Sequence, residues 1–292
     1  MLALVSDKLA PGRIDCVVLA GKSTLNRLEH SPAEGDSRYH KISHDPVALE
    51  SLFVDLFLEA HKRLPKRITL DLDATDDPVH GSQEDRFFHG YYGCYCYLPL
   101  YVLCGRHVLV ATLRPANIDA SCGAVEKVAR IIGQIRRRWP KVKVVLRADN
   151  GFAREALMAW CEAHKVDCVF GLVRNERLVA EIEAALAEAA AEHERNGAPA
   201  RRFPGVFYAT RKTWSRHRRV VAKVEHLAKG ANPRFIVTSL KPEEIDGRRL
   251  YDKVGCARGE MENRIKGEGQ PWRQWRRVSA ANQLDLLDPM SD

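Results

Sequence analysis

The chain has 292 residues, and 46 Lys and Arg against 38 Asp and Glu give a formal net charge of +8. Its 45% hydrophobic and 29% charged residues are typical of a globular protein, which excludes a largely disordered chain and a collagen-like repeat. No apolar run is long enough for a membrane span. The eight cysteines form no CxxC pair, so we expect reduced thiols in a cytoplasmic protein.

After an N-terminal helical segment, the first predicted strand covers residues 67–75 (RITLDLDAT). Apolar and polar residues alternate along it, so one face of the strand is expected to be dry and the other wet. Asp71 and Asp73 fall on the same polar face, where two like charges repel each other. We therefore expect a cationic group close to them.

The next stretch alternates strand and helix patterns. Two strands are expected to form a hairpin that turns at residues 104–106. The predicted elements are strands at 94–103 and 107–113, a helix at 124–138, a strand at 141–149, a helix at 154–164 and a strand at 166–173. This order predicts an α/β fold, a ribonuclease H-like mixed five-strand sheet flanked by helices.

The last third predicts an exposed helix, an inserted β region and a final helix. The predicted elements are the helix at 176–195, short strands at 205–211, 218–226 and 233–239, and the final helix near 258–266. We therefore divide the chain into four segments. They are an N-terminal helical segment (1–66), the first part of the catalytic domain (67–175), a helix plus basic β insertion (176–245), and the final catalytic helix with a divergent tail (246–292).

The positive charge is concentrated in residues 201–229, which hold nine Lys or Arg and one acidic residue. Aromatic residues lie among these cations, as they do in surfaces that neutralise phosphates and stack on bases. A solvated pair of basic hairpins would have the same composition, so both interpretations stay open. The candidates for DNA contact are Arg211, Lys212, Trp214, Arg216, Arg218 and Arg219.

Three acidic residues on separate elements could form a metal site. Asp73 lies on the first strand, Asp149 ends a later strand, and Glu262 lies on the final helix, between Arg258 and Lys266 at intervals of four residues. Carboxylate oxygens suit two Mg²⁺ or Mn²⁺ ions, which promote phosphoryl transfer. Two simpler interpretations remain: Glu262 could belong to a surface ion-pair ladder, and Asp149 could form an Asx turn that caps a helix.

Three motifs in the same order resemble bacterial insertion-sequence transposases of the DDE class, DDE transposase domain group 1, in the broad group that includes the Tn5-like enzymes. The motifs are residues 70–81 (LDLDATDDPVHG), 147–152 (RADNGF) and 257–266 (ARGEMENRIK). The resemblance runs from about residue 18 to residue 266. It implies a DDE triad of Asp73, Asp149 and Glu262, with Mg²⁺ as cofactor, and a β insertion that contacts transposon-end DNA. From their spacing around Glu262, Arg258 and Lys266 are further candidates for DNA contact, because they could hold a phosphate close to the metal ions.

The resemblance predicts an enzyme that cleaves DNA at transposon ends and transfers the strand into target DNA. Its expected partners are double-stranded DNA, both inverted-repeat ends and target, and a second copy in a homodimer at the bacterial nucleoid. Asp73 is chosen as the first ligand because residues 73–75 (DAT) resemble the family motif, with Asp71 as a neighbouring or alternative ligand. His80 and His89 are interpreted as loop residues.

Family members are usually longer at both ends, and the sequence after Lys266 departs from the family pattern. We therefore expect a copy truncated at both ends. A catalytically silent DNA-binding protein, or an inhibitor of full-length transposase, is the alternative function. A host nuclease on the same fold is a weaker third hypothesis.

Overall fold

The structure, a computed structural model, describes residues 45–79, 81–227 and 230–255. The chain divides into two compact units, residues 1–49 and residues 50–292, and the architecture below is that of the second unit. Within the described ranges, no helix is both long and apolar enough to cross a membrane.

The first half of the described chain has one helix before its strands and two further α-helices after the sixth strand. The elements are α1 (Pro46–Glu59), β1 (Arg67–Ala74), β2 (Asp77–Pro78), β3 (Phe87–His89), β4 (Cys94–Tyr97), β5 (Leu100–Cys104), β6 (His107–Thr112), α2 (Ala124–Arg138), β7 (Lys143–Ala148), a 3-10 helix (Asn150–Phe152) and α3 (Glu155–Ala163). The predicted helix at 124–138 is confirmed at both ends.

The second half continues with β8 and ends, within the described residues, in a π-helical turn. The elements are β8 (Asp167–Leu172), α4 (Glu176–Ala180), α5 (Glu183–Asn196), β9 (Ala200–Arg202), β10 (Gly205–Tyr208), β11 (Arg218–Leu227), β12 (Gly230–Ala231), β13 (Arg234–Thr238), α6 (Gly247–Arg249) and the π turn (Leu250–Gly255). The predicted short strands of the insertion correspond to β10, β11 and β13.

Five strands of the central sheet have the order β6-β5-β1-β7-β8. β7 runs parallel to β1 and β8 runs parallel to β7, whereas β5 is antiparallel to both β1 and β6. A central first strand, with an antiparallel second strand on one side and two parallel strands on the other, is the predicted ribonuclease H-like arrangement. The α/β fold class is confirmed.

The insertion does not form a separate sheet. β13 pairs antiparallel with β8, β11 pairs with β13, and β10 pairs with β11, so the same sheet continues beyond β8. β9 and β12 also pair with β11, and β2, β4 and β3 form a second, three-stranded sheet. The strands of the second and third predicted segments therefore share one sheet. The division of the chain into four segments stays a prediction.

Apolar residues cover both faces of the central sheet. The larger core packs Leu70 and Leu72 of β1 with side chains of α1, α2 and α3. On the opposite face, Val145 and Val169 pack under Leu250 and Tyr251 of the π turn. The prediction of a wet face on β1 is wrong at Asp71 and Asp73, which are both buried.

Two predicted elements are each broken in two. The strand predicted at residues 94–103 is wrong as a single strand: β4 belongs to the small sheet, β5 belongs to the central sheet, and Leu98 and Pro99 separate them. Proline has no N–H for a strand ladder, which favours a break there. The helix predicted at 176–195 is divided near Ile182, whose side chain is buried, so this region packs on the core and is not a single exposed helix.

Candidate active site

Asp71 lies opposite Arg147 in the parallel register of β1 and β7. Arg147 donates from Nε to Asp71 Oδ1 at 2.5 Å and from Nη2 to Oδ2 at 2.8 Å. Asp71 is only 5% exposed, so this bidentate ion pair supplies the counter-charge that a buried carboxylate needs. The expectation of a cation beside the two acids of β1 is confirmed for Asp71.

Arg147 also connects the two central strands to a distant part of the chain. Its Nη1 donates to the carbonyl oxygen of Val254, at 2.9 Å, in the π turn. The π turn directly precedes the segment that carries the predicted third carboxylate. The Arg147 guanidinium therefore connects β1 and β7 to the π turn that precedes that segment.

Asp73 follows Asp71 by two residues on β1, and Asp149 follows Arg147 by two residues along the neighbouring parallel chain segment. Asp73 is 7% exposed, and Asp149 comes directly after the end of β7. Both carboxylates also influence the pKa of the Tyr92 hydroxyl group. Burial, together with the negative charges of Asp76, Asp73 and Asp149, raises the pKa of Tyr92 to about 12. The structure thus brings Asp73 and Asp149 to a common location.

A hydrogen bond within the chain orients the Asp149 carboxylate. Its Oδ1 accepts from the backbone N–H of Gly151 at 2.8 Å, at the start of the 3-10 helix. This is the Asx-type turn that the sequence offered as one interpretation, and it is confirmed. The turn fixes the side chain, which is compatible with a role as a ligand.

Gly171 of β8 allows the backbone after β7 to pass close to the next strand. A Cβ atom at this position would lie 2.9 Å from the backbone nitrogen of Asn150 and 3.2 Å from the carbonyl carbon of Asp149. Any larger residue would therefore push on the peptide that carries Asp149. Sequence reasoning missed Gly171, although a glycine within an apolar strand is a known sign of close backbone approach.

A cleft of about 450 Å³ opens beside Asp149. Asn150, Gly171 and Tyr251 are among the residues that line it. Two exposed arginines, Arg174 and Arg234, also line it. The cleft therefore combines a carboxylate with two cations that are accessible to an anionic ligand.

Two of the predicted DNA contacts belong to the scaffold. Arg218 has a side chain 3% exposed and pairs with Glu155 and Glu162 of α3, each N–O distance being 2.7 Å. The hydrogen bond from Arg218 is the main cause that lowers the pKa of Glu155 to about 2. Arg219 points to the other face of β11 and donates to the carbonyl oxygens of Leu240 and Ile245 at 2.9 and 3.0 Å.

Because both faces of β11 are covered, these two guanidinium groups are not accessible to a DNA phosphate in this conformation. The other candidates lie before β11. Arg211, Lys212 and Arg216 are exposed, and Arg216 forms an ion pair with Glu162. Trp214 is half-buried and packs edge-on against the ring of Tyr208, 5.9 Å away.

Several predicted residues lie outside the described part of the chain: Glu262, Arg258, Lys266 and His80. Within the described ranges, no three His, Cys, Asp or Glu residues form a group that could hold a metal ion. His89 is half-buried and packs against Tyr92, with ring centroids 4.7 Å apart.

Arg147, like Gly171, is a site residue that sequence reasoning did not single out. Arg147 carried a usable signal, because it stands two residues before Asp149 in a strand and therefore shares a face with it.

The comparisons with solved structures find transposases. A piggyBac transposase synaptic complex with hairpin DNA is 14% identical, with a TM-score of 0.36, over 59% of this chain and 33% of that one. A Mos1 paired-end complex with the left transposon end is 14% identical, with a TM-score of 0.25, over 60% and 62%. A Mos1 mariner paired-end complex with Mn is 13% identical, with a TM-score of 0.24, over 56% of both chains. This chain thus spans less than two thirds of each of these chains.

No curated protein matches the sequence. The sequence profile of the family described as transposase DDE domain group 1 matches residues 1–285, nearly the whole chain. This match agrees with the ribonuclease H-like sheet and with the paired aspartates at its centre. The chain belongs to the transposase DDE domain group 1 family.

Proposed function

We propose that the chain cleaves DNA strands at transposon ends and transfers the 3′-end into target DNA, with Asp73, Asp149 and Glu262 as the catalytic carboxylates. The observation that carries the proposal is the register of β1 and β7. It pairs Asp71 with Arg147, and Asp73 on β1 and Asp149 just after β7 each follow this ion pair by two residues. Asp71 therefore acts as a structural neighbour of the ligand Asp73.

The donor atoms available at this location fit Mg²⁺ or Mn²⁺. Asp73 and Asp149 present carboxylate oxygens, which magnesium and manganese prefer over nitrogen or sulfur. Glu262 would complete the set from the segment after the π turn. When bound, two such ions generate the nucleophile and stabilise the leaving oxygen in phosphoryl transfer.

The protein's own residues orient these ligands and the DNA. The Gly151 N–H holds the Asp149 carboxylate, and Arg147 keeps Asp71 paired at the base of the site. Arg174 and Arg234 line the cleft beside Asp149, where they can hold phosphates of the strand being cut. Arg258 and Lys266 are proposed to hold phosphates on the side of Glu262.

The exposed part of the basic insertion is proposed to hold the transposon end. Arg211, Lys212 and Arg216 would neutralise backbone phosphates, and Trp214 would contact the DNA beside them. The proposed assembly is a homodimer that bridges two DNA ends.

A cleavage assay tests this function. The purified protein is incubated with a plasmid that carries the genomic DNA flanking its coding sequence, in Mg²⁺, in Mn²⁺ or in EDTA. We expect cuts at discrete element boundaries and joined products in either metal, and none in EDTA. DNA binding without any cut in either metal would refute the enzyme and favour the silent DNA-binding protein.

A further inference from the structure

The β3–β4 hairpin places two adjacent tyrosines at its tip. The turn at residues 90–93 is closed by the Gly93 N–H, which donates to the carbonyl oxygen of His89 at 2.8 Å. Gly93 has φ +66°, a conformation that favours glycine. The turn holds Tyr91 and Tyr92 with their rings 5.0 Å apart and almost perpendicular.

Aromatic rings cover the outer side of this hairpin. Tyr91 is 87% exposed, Phe88 is 58% exposed and Tyr95 is 49% exposed. Phe88 and Tyr95 are directly opposite each other on β3 and β4, with ring centroids 5.5 Å apart. The guanidinium of Arg86 lies 4.6 Å from the centre of the Tyr95 ring. We call Arg86, Phe88, Tyr91 and Tyr95 the aromatic hairpin face.

The aromatic hairpin face is connected to the candidate active site through Tyr92 and through β2. Tyr92, which packs against Tyr91, is within electrostatic reach of Asp73 and Asp149. β4 also pairs with β2, which follows shortly after Asp73 along the chain. A nucleotide whose phosphate reaches the carboxylates would therefore have its neighbouring bases close to these rings.

The depth of the carboxylates favours an opened DNA strand over a closed duplex. Asp73 is 7% exposed, and a strand separated from its complement can approach such a recessed group more closely than a double helix can. Separation leaves bases without stacking partners. Exposed aromatic rings stack on any base, and an adjacent arginine adds charge that suits the phosphates.

We propose that the aromatic hairpin face binds unpaired bases of the DNA strand that enters the carboxylate site. The inference rests on the proposed function, because it takes the acids of β1 and β7 as the place where the strand is cut. It assigns the surface to single-stranded DNA, with no sequence preference, because stacking is tolerant of base identity.

Binding measured in EDTA tests the inference separately from catalysis. Two duplexes of the same sequence are used, one fully paired and one with a short unpaired stretch that contains 2-aminopurine. We expect Tyr91→Ala and Phe88→Ala each to weaken binding of the unpaired duplex by about tenfold, since one base–ring stack is lost. Binding of the paired duplex should change less than about twofold, and the 2-aminopurine quenching seen with the native protein should be reduced.

Two further variants sharpen the test. Tyr91→Trp keeps a stacking ring and should retain both affinity and quenching. Phe207→Ala removes a ring that is 69% exposed on β10 and should leave the preference for unpaired DNA intact. Equal losses on both duplexes, or no loss with either hairpin variant, would overturn the inference.

The outcomes for the two proposals can be told apart. A protein that cuts in Mg²⁺ but binds unpaired DNA equally well with Tyr91→Ala keeps the proposed function and loses this inference. A protein that never cuts but shows the Tyr91-dependent preference loses the proposed function only. Sedimentation without DNA is the last control: dissociation of dimers by Tyr91→Ala would show that this face contacts a second copy, which would also overturn the inference.

Discussion

Arg147 binds both carboxylate oxygens of Asp71 across the β1–β7 pair, and its third nitrogen reaches the carbonyl of Val254. This arrangement separates two acids that look equivalent in the sequence. Asp71 and Asp73 share one strand face, but the guanidinium belongs to the first of them. We therefore expect the two carboxylates to differ in what their removal does.

Asp71→Asn should destabilise the fold. The substitution leaves the charge of Arg147 buried and unpaired, which typically costs about 3 kcal/mol. Asp73→Asn should cost less, because the Asp71–Arg147 ion pair stays intact in this variant. Urea unfolding of both variants measures the difference, and equal free energies of unfolding would refute the separation of roles.

The ion pairs of Arg218 with Glu155 and Glu162 should also stabilise the fold. Arg218→Ala leaves Glu155 and Glu162 without their buried partner, and we expect a loss of about 3 kcal/mol in the free energy of unfolding. Arg216→Ala is the matched control, because Arg216 pairs with the same Glu162 from a side chain that is 58% exposed. Its loss should be below about 1 kcal/mol. A control variant as unstable as Arg218→Ala would contradict the assignment of Arg218 to the scaffold.

The same ion pairs predict how stability depends on pH. Arg218 lowers the pKa of Glu155 from the ordinary 4.5 to about 2 in the folded protein. A lowered folded pKa stabilises the fold above the unfolded value, and that contribution is lost as pH falls from 4.5 toward 2. Denaturation midpoints between neutral pH and about pH 3 should therefore fall less steeply for Arg218→Ala than for the native protein. Parallel curves for the two proteins would contradict the assignment of this pH dependence to the Arg218–Glu155 pair.

Gly171→Ala should disturb the position of Asp149. The added methyl group would lie 2.9 Å from the Asn150 nitrogen, so the peptide after β7 has to move. We expect at least a tenfold loss of DNA cleavage with little change in DNA affinity, since a small displacement of a catalytic group is costly. Gly133→Ala is the control, because its methyl group would meet nothing within 4 Å on helix α2. That variant should be active and slightly more stable, and unchanged cleavage by Gly171→Ala would show that the close approach is unimportant.

The sequence was sufficient for the parts of the fold that depend on local periodicity. Alternation located β1, and the 3–4 spacing of apolar residues located α2 at its observed bounds. Burial of Asp71 and Asp73 was not predictable in this way. The environment of Asp71 depends on the register of β1 with β7, which sets Arg147 opposite it, and on the π turn far along the chain whose Val254 carbonyl also binds Arg147.

In the basic insertion, too, local sequence does not reveal which side chains are buried. Arg211 and Arg218 are indistinguishable within a run of cations, yet one is exposed and the other is enclosed by two glutamates of α3. Arg218 is buried because β11 pairs between β10 and β13 and both of its faces are covered, and local sequence does not reveal this pairing.

The most direct measurement is DNA cleavage in Mn²⁺ by three variants, Asp73→Asn, Asp149→Asn and Asp71→Asn, with rates divided by the folded fraction and DNA affinity measured alongside. We predict that the first two bind DNA normally and cut at the background rate, whereas folded Asp71→Asn still cuts. A silent Asp71→Asn beside an active Asp73→Asn would contradict the assignment of Asp73 as the catalytic carboxylate. Loss of DNA binding together with cleavage in Asp149→Asn would contradict its role as a metal ligand.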